Sequence, residues 1–254
     1  MILRKWEQLP PEMQVPEVRK YYDILRKKRA GLFFKRVFDI VVSGLMLVFL
    51  SPVFLCLAIA IKIDSKGPVF FRQERITQYN RKFRIFKFRS MVHDADKGGS
   101  LTVANDDRIT RMGKFMRDSR LDEISQLIDV FKGTMTFVGT RPEVLKYVDC
   151  YTPEMMATLL LPAGVTSLAS IYYKNEAELF DPQKNVDVSY IEDVLPVKMH
   201  YNLQALEHFS FWGDIKIMFM TVFAVLGKEY KSEFANRDTV PNEIKEISDK
   251  TKQI

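Results

Sequence analysis

The chain has 254 residues, a formal net charge of +6 and two cysteines, Cys56 and Cys150. That length fits one domain, and two isolated cysteines imply neither a disulfide framework nor a thiolate metal site. The surplus of cations, with a sequence pI near 9.1, suits anionic membrane lipids or phosphate-bearing substrates, and without a nucleic-acid-binding motif nucleic acid is not an expected partner.

Residues 1–34 are charged, punctuated by Pro10, Pro11 and Pro16, then helical around residues 18–30. They read as an interfacial lead-in to a membrane helix. The apolar run that follows starts too late for an ordinary signal peptide. Residues 37–61 are almost wholly apolar, bracketed by Lys35-Arg36 and Lys62 and interrupted by Ser51-Pro52. About 25 apolar residues suffice for one straight crossing of a ~30 Å hydrocarbon core. Pro52, however, has no N–H for the carbonyl of Val48 and its ring displaces the axis, while the Ser51 hydroxyl can bond back to the carbonyl of Leu47. The limbs then have about 14 and 9 residues, roughly 21 and 14 Å, and neither spans a bilayer alone. Lys and Arg favour the cytoplasmic side and here stand at both ends. The expected element is a re-entrant helix pair over residues 35–62 that enters and leaves on the cytoplasmic face, broken at Ser51 and Pro52.

Lys66-Gly67-Pro68 marks a turn, and residues 69–75 and 82–90 read as short strands joined through Gln78-Tyr79-Asn80. Residues 93–107, with Gly98-Gly99-Ser100 and Asp106-Asp107, carry loop signals. A helical segment is expected from near Thr110. Leu121, Ile124, Leu127, Ile128 and Phe131 are spaced for one apolar helix face, with Gly133 placed to stop it. On that reading Asp122, Glu123, Gln126 and Asp129 point largely away from the stripe. Residues 151–198 are mixed and show no clear pattern. Residues 209–226 are apolar and aromatic-rich, fitting an interfacial helix and a buried core helix about equally, and a polar tail starts at Lys228.

Three features can carry chemistry. Asp122-Glu123 opens a helix just after Arg117 and Arg120; such acids either compensate a helix dipole at the surface or act as an aspartyl nucleophile with a supporting carboxylate, which a divalent metal and a phosphate substrate would require. The run from Arg81 to Arg89 interleaves cations and aromatics and is either a lipid-surface patch or a cradle for a diphosphate and a lipid phosphate. Gly139-Thr140-Arg141-Pro142 is a turn that can hold one guanidinium in place. His93, His200 and His208 show no metal-ligand spacing, and neither a P-loop, a dinucleotide fingerprint nor a Gly-x-Ser-x-Gly elbow is present.

Several ordered segments go further: Lys35-Arg36-Val37-Phe38-Asp39, Ser51-Pro52, Gly67-Pro68-Val69-Phe70-Phe71-Arg72-Gln73-Glu74-Arg75, Phe86-Lys87-Phe88-Arg89-Ser90-Met91, Asp107-Arg108-Ile109-Thr110-Arg111-Met112-Gly113, Ser119-Arg120-Leu121-Asp122-Glu123 and Phe137-Val138-Gly139-Thr140-Arg141-Pro142. Together they resemble the bacterial sugar transferase family, the small monotopic phosphoglycosyl transferases that start assembly of capsule, exopolysaccharide and O-antigen glycans. The chain departs from the usual pattern at Thr140 in the Pro-Arg-Pro motif, at Ile76-Thr77, and at Ala163-Gly164-Val165-Thr166-Ser167. The resemblance covers about residues 33–226 and implies a core-only form without the N-terminal membrane bundle of longer relatives.

The resemblance implies transfer of a sugar-1-phosphate from a nucleotide diphosphate sugar, a UDP-sugar first, to undecaprenyl phosphate. In it Asp122 is the nucleophile and Glu123 its partner, both also ligands to Mg²⁺. Arg117 and Arg141 hold phosphate oxygens, and Lys87, Arg89, Arg108 and Arg111 are further cations for the same substrates. The expected class is α+β and mostly helical: a lead-in (1–34), the membrane hairpin (35–62), a cytosolic catalytic domain with a small β-hairpin and interfacial amphipathic helices (63–227), and a polar tail (228–254). The location implied is the bacterial inner membrane, and a homo-oligomer is compatible with it. The rival readings are a catalytically silent scaffold of a glycan-assembly complex and a single-pass anchored binding domain. Cysteines introduced at Arg29 and at Lys66 are expected to be equally protected from an impermeant thiol reagent in intact cells; labelling of one alone would establish a true span.

Overall fold

A computed structural model describes residues 3–92, 107–173 and 185–230. The loop expected at 93–107 (Asp107 apart), with His93, and the tail beyond Tyr230 lie outside the described residues. In chain order the helices are α1 (Pro16–Lys27), α2 (Arg29–Phe49), α3 (Ser51–Asp64), α4 (Arg111–Asp118), α5 (Leu127–Lys132), α6 (Leu145–Val148), α7 (Leu168–Tyr172), α8 (Val186–Ser189), α9 (Leu195–Glu207) and α10 (Phe211–Val225). The strands are β1 (Phe70–Thr77), β2 (Arg81–Phe88), β3 (Met135–Val138) and β4 (Ala163–Thr166). The chain is mostly helical, as the sequence pattern predicts, with two small sheets where one hairpin was expected.

Among the described residues no single helix is long and apolar enough to cross a membrane, while α2 and α3 together pass that test and are bent by 60° at their junction. The break falls where Pro52 places it. The Ser51 hydroxyl donates to the carbonyl of Val48 at 2.8 Å, one residue nearer than Leu47, because the backbone has already left α geometry at Leu50, with ψ near 0. The outer surface of the pair is apolar, with Phe34, Val41, Val48, Phe49, Leu55 and Ile63 exposed.

The inner face of α2 is polar and buried. Lys35, Asp39 and Ser43 recur every four residues and so share one side of the helix. Lys35 Nζ donates to Val138 O at 2.7 Å and pairs with Asp214 at 2.6 Å. The Asp39 carboxylate accepts from Thr136 Oγ1 at 2.7 Å and from Phe137 N at 3.2 Å. Arg36 donates to the carbonyls of Val130 and Phe131, at 2.7 and 2.9 Å, at the C-terminal end of α5. Lys35-Arg36, expected as charges flanking a membrane segment, are therefore turned inward; Lys35 is only 3% exposed. A lysine on one face of a helix goes where acceptors lie, and β3 and α10 supply them.

α1 also differs from expectation. Its stripe of Val18, Tyr21, Tyr22 and Leu25 is buried against Met155, Leu160, Leu195 and Met199, so this face is covered by the domain and is not free for an interface with lipid. Leu3, Leu9 and Met13 join the same core. The β1–β2 hairpin is antiparallel from Phe70 opposite Phe88 to Thr77 opposite Arg81. Its tip holds Tyr79 and Asn80 in the left-handed region, and the Tyr79 hydroxyl accepts from Arg4 N at 2.9 Å.

β3 and β4 form a parallel pair, with Met135 opposite Ala163 and Val138 opposite Thr166; the sequence pattern did not disclose it. A Cβ on Gly164 would lie 2.2 Å from both N and O of Gly139, so the two chains cross where only glycine fits. The stripe at 121–131 is borne out only in part: Leu127 joins the core and Leu121 and Ile124 pack against a second cluster, but the polar side expected to face away is buried too. Asp122, Gln126 and Asp129 are buried and Phe131 is exposed. The first six residues are a 3₁₀ turn, Leu121–Gln126, which alters the angular spacing before α5 begins. β2 then supplies polar partners, as in the 2.8 Å bond from Phe86 N to Asp129 Oδ2. α10 is not a fully buried core helix: Ile217 and Ala224 face the core while Trp212, Phe219 and Val222 stay exposed. Gly164→Ala is expected to cost about 3 kcal/mol or more, since the added methyl meets backbone that cannot rotate away; a thermal melt of purified protein within a degree of wild type would contradict that crossing.

Candidate active site

The site is built where α4, β2 and the turn after β3 meet. Thr110 caps α4 by accepting from Gly113 N at 3.0 Å. Gly113 sits so close to β2's end that a Cβ would come within 1.9 Å of Ser90 O. After α4, Arg120 adopts φ 57°, a left-handed conformation for a non-glycine residue. Such a residue costs on the order of 1 kcal/mol. The reversal it makes turns the Leu121–Gln126 segment so that Asp122 and Glu123 face the cationic strand β2.

Glu123 is held by two cations. Its Oε1 lies 3.0 Å from Lys87 Nζ and 2.5 Å from Arg141 Nη2, and Oε2 lies 3.4 Å from Arg141 Nη1. Burial alone would raise this carboxyl, but Arg141 and Lys87 outweigh it and hold Glu123 well below the usual carboxylate range. Burial lowers Lys87, with Glu123 opposing. Asp122 is different. Burial raises it, Lys87 opposes and the neighbouring Glu123 adds to the rise, and its carboxyl accepts no hydrogen bond from a described residue. Two adjacent acids thus have opposite characters, one locked as an anion and one left with open oxygens.

The other sequence candidates spread out. Arg117 Nε donates to Ser90 Oγ at 2.9 Å and its charge favours the Asp122 anion. Arg89 is not brought to the dyad: its guanidinium is turned to the C-terminal end of α3, donating to Ser65 O at 2.6 Å and Ser65 Oγ at 2.9 Å. The exposed carbonyls of a helix C-terminus attract a cation. Arg108 lies in the segment that bridges Met91 to Ile109, and Arg111 is the exposed first residue of α4. Ser51 and Pro52 mark the α2–α3 bend, away from the dyad in the fold's order of elements.

Residues 30–228 of the chain match the family described as bacterial sugar transferase. The chain belongs to that family. It is 35% identical over 198 residues to a UDP-glucose:undecaprenyl-phosphate glucose-1-phosphate transferase of Klebsiella pneumoniae, a match covering 76% of this chain and 40% of that protein. A UDP-N-acetylgalactosamine-undecaprenyl-phosphate N-acetylgalactosaminephosphotransferase of Aeromonas hydrophila is 33% identical over 76% of this chain and 44% of its own length. A UDP-glucose:undecaprenyl-phosphate glucose-1-phosphate transferase of Caulobacter vibrioides is 33% identical over 76% of this chain and 69% of its own length. The chain thus matches less than half the length of the first two.

For this family member, the donor set can be tested against a divalent metal. Among the described residues no cluster of three or more His, Cys, Asp or Glu side chains forms. Two adjacent carboxylates, one with open oxygens, suit Mg²⁺, which binds through one or two carboxylates together with substrate phosphates. Sequence reasoning passed over Arg75, Glu143, Tyr190 and Lys198, which surround the Arg141 turn from behind. Arg75 and Glu143 adjoin recognisable segments, but Tyr190 and Lys198 fall in the stretch without a pattern. Because Glu123 is depressed relative to its ordinary value of 4.5, its stabilising contribution is complete above that pH and is lost as pH falls through the folded value. Glu123→Gln is expected to cost about 3 kcal/mol at neutral pH by leaving Lys87 and Arg141 without their anion, and to flatten the acid-side loss of stability. An unchanged acid slope in chemical denaturation would show that those cations do not hold it.

Proposed function

We propose that this chain transfers a sugar-1-phosphate from a UDP-sugar to undecaprenyl phosphate, opening assembly of a surface polysaccharide on the cytoplasmic face of the bacterial inner membrane. The observation that carries the reading is the split dyad: an Asp122 carboxyl with open oxygens beside a Glu123 carboxylate saturated by Lys87 and Arg141. The names of the relatives supply the substrate class.

The two reactants are anions, so a carboxylate can approach the donor diphosphate only where positive charge is concentrated. Lys87, Arg117 and Arg141 provide it around the dyad, and Arg108 and Arg111 add to it along the start of α4. An Asp122 oxygen attacks the sugar-proximal phosphorus, forming a P–O bond as the bond to UMP breaks, and UMP leaves with the electron pair. An oxygen of the lipid phosphate then attacks the same phosphorus and Asp122 departs as carboxylate. Asp122, whose oxygens are open, would hold Mg²⁺ together with the donor phosphates, and the ion would supply neutralisation of the diphosphate charge, while Glu123, taken up by Lys87 and Arg141, would hold those two cations in place. Arg141 is suited to phosphate because its planar fork matches two oxygens at once, as it already does on Glu123.

In this reading the α2–α3 pair is the re-entrant hairpin of residues 35–62. Its exposed apolar surface and that of α10 seat the catalytic domain of residues 63–227 in one leaflet, against anionic lipids, at the height of the polyprenol phosphate. Residues 1–34 lead into the hairpin and pack on the domain. The test separates enzyme from scaffold. Protein with Mg²⁺ and the correct UDP-sugar is expected to release at most about one equivalent of UMP without acceptor, and to turn over once undecaprenyl phosphate is added. Asp122→Asn is expected to abolish both stages with the fold and membrane binding intact. Full turnover by that variant would force a direct ternary transfer, and no UMP release by wild type with any nucleotide sugar would favour the scaffold.

A further inference from the structure

Behind the Arg141 turn lies a second buried charge cluster. The Glu143 carboxylate, 6% exposed, accepts from Tyr190 Oη at 2.5 Å and from Lys198 Nζ at 3.4 Å. Lys198 Nζ also donates to Tyr190 Oη at 3.0 Å and is itself only 3% exposed. On the opposite side, Arg75 Nη1 stands 3.9 Å from Glu143 Oε2 and donates to Pro142 O at 3.2 Å. The rest of the Arg75 guanidinium is fixed by Gln73 Oε1, at 3.1 Å from Nε and 2.7 Å from Nη2. The backbone joins in, with Ile76 N donating to Glu143 O at 2.9 Å.

Burying two or three charges is a poor way to gain stability, since desolvation cancels most of the attraction and an apolar substitute of similar shape often does as well. What such a cluster does supply is geometry. Arg141 lies between Gly139-Thr140, pinned by bonds to Thr166 O and from Gly164 N at 2.9 and 2.8 Å, and Pro142-Glu143, pinned by Arg75 and the cluster. A turn fixed on both sides sets where the Arg141 side chain starts, and from there its guanidinium reaches Glu123. Tyr190 belongs to a π-helical turn, Tyr190–Val194, an irregularity that turns the tyrosine out of register with an ordinary helix and is frequent at functional sites.

We propose that Glu143, Tyr190 and Lys198, acting through Arg75, are positioning residues that set the place of the Arg141 guanidinium for phosphate recognition. The inference rests on the transfer reading above for the identity of the phosphate ligand. It assigns a role to α9, far along the chain from the dyad, in the affinity of the donor site.

The test uses the full chain in nanodiscs with two readouts: calorimetric affinity for UDP with Mg²⁺, and the Arg141 Nε–H signal in ¹⁵N-arginine spectra, assigned by its loss in Arg141→Lys. Glu143→Gln and Lys198→Met are each expected to lower both melting temperature and UDP affinity. The double variant removes Lys198 together with the anion it faces and leaves only Arg75 without a carboxylate, so its melting temperature is expected to recover part of what Glu143→Gln loses, while affinity stays about tenfold below wild type and the Arg141 signal stays broadened. Tyr190→Phe, which removes one hydroxyl and keeps the fold, is expected to weaken UDP about threefold. Wild-type affinity and a sharp Arg141 signal in the double variant, or in Tyr190→Phe should the double variant not fold, would overturn the proposal. If wild type itself binds no UDP, the transfer reading fails, and the Arg141 signal alone decides the positioning: broadened supports it and sharp overturns it.

Discussion

Lys35 and Asp39 reach from an otherwise apolar helix into the edge of β3, and the placement of the site follows from those contacts. Apolar surfaces can slide over one another at little cost, whereas a buried lysine bonded to Val138 O and Asp214, and a carboxylate bonded to Thr136 and Phe137 N, have one position that satisfies them. α2 is thereby fixed to β3 in register and depth. β3 leads directly into the turn that carries Arg141, so the bent helix pair's contacts and Arg141 are separated by a few residues of constrained chain. Arg89 repeats the arrangement on the other limb: it joins β2, two residues beyond Lys87, to the end of α3. Both limbs of the bent helix pair are tied to the strands that bear the cations of the site.

Those cations are not spread evenly. Lys87 and Arg141 converge on Glu123, and Arg75 and Lys198 on Glu143, so each of these two carboxylates lies between two cations. In a low-dielectric surrounding an uncompensated charge would shift or move out, and pairing keeps these groups charged. Asp122 stands outside the pairing. Its carboxyl has Lys87, Arg117 and Arg120 near enough to favour the anion, yet burial and Glu123 act against it. Among the described residues none donates a hydrogen bond to its oxygens, and a carboxylate so placed in a field of fixed cations is what the nucleophile's role proposed for it would require.

Particular residues show how far sequence reading reached. The break at Ser51-Pro52 was legible because proline acts on its own backbone, whatever surrounds it. The β1–β2 hairpin was legible from alternating side chains around a turn. The dyad and Arg141 were legible through ordered family segments, not through their local pattern, which fitted a helix dipole and a simple turn equally well. Lys35-Arg36 misled because the rule that places cations at the cytoplasmic flank takes no account of acceptors in a domain folded beneath the helix. The polar side of the 121–131 stripe misled for a related reason: periodicity assumes α geometry throughout, and here a 3₁₀ turn opens the segment and β2 offers partners to that side.

The amino-acid sequence by itself determined the bent apolar pair, the mostly helical class, the family and the residues available for chemistry, because each of these depends on local backbone limits or on residue identities in order. Only the tertiary structure decided which charges meet. That Arg141 and Lys87 share Glu123, that Arg89 caps α3, that α1 is covered by α9, and that β3 lies parallel to β4 are all contacts between segments far apart in the chain. Their partners are selected by burial and by the need to satisfy polar groups once water is excluded, and a one-dimensional pattern does not encode which distant group will be there.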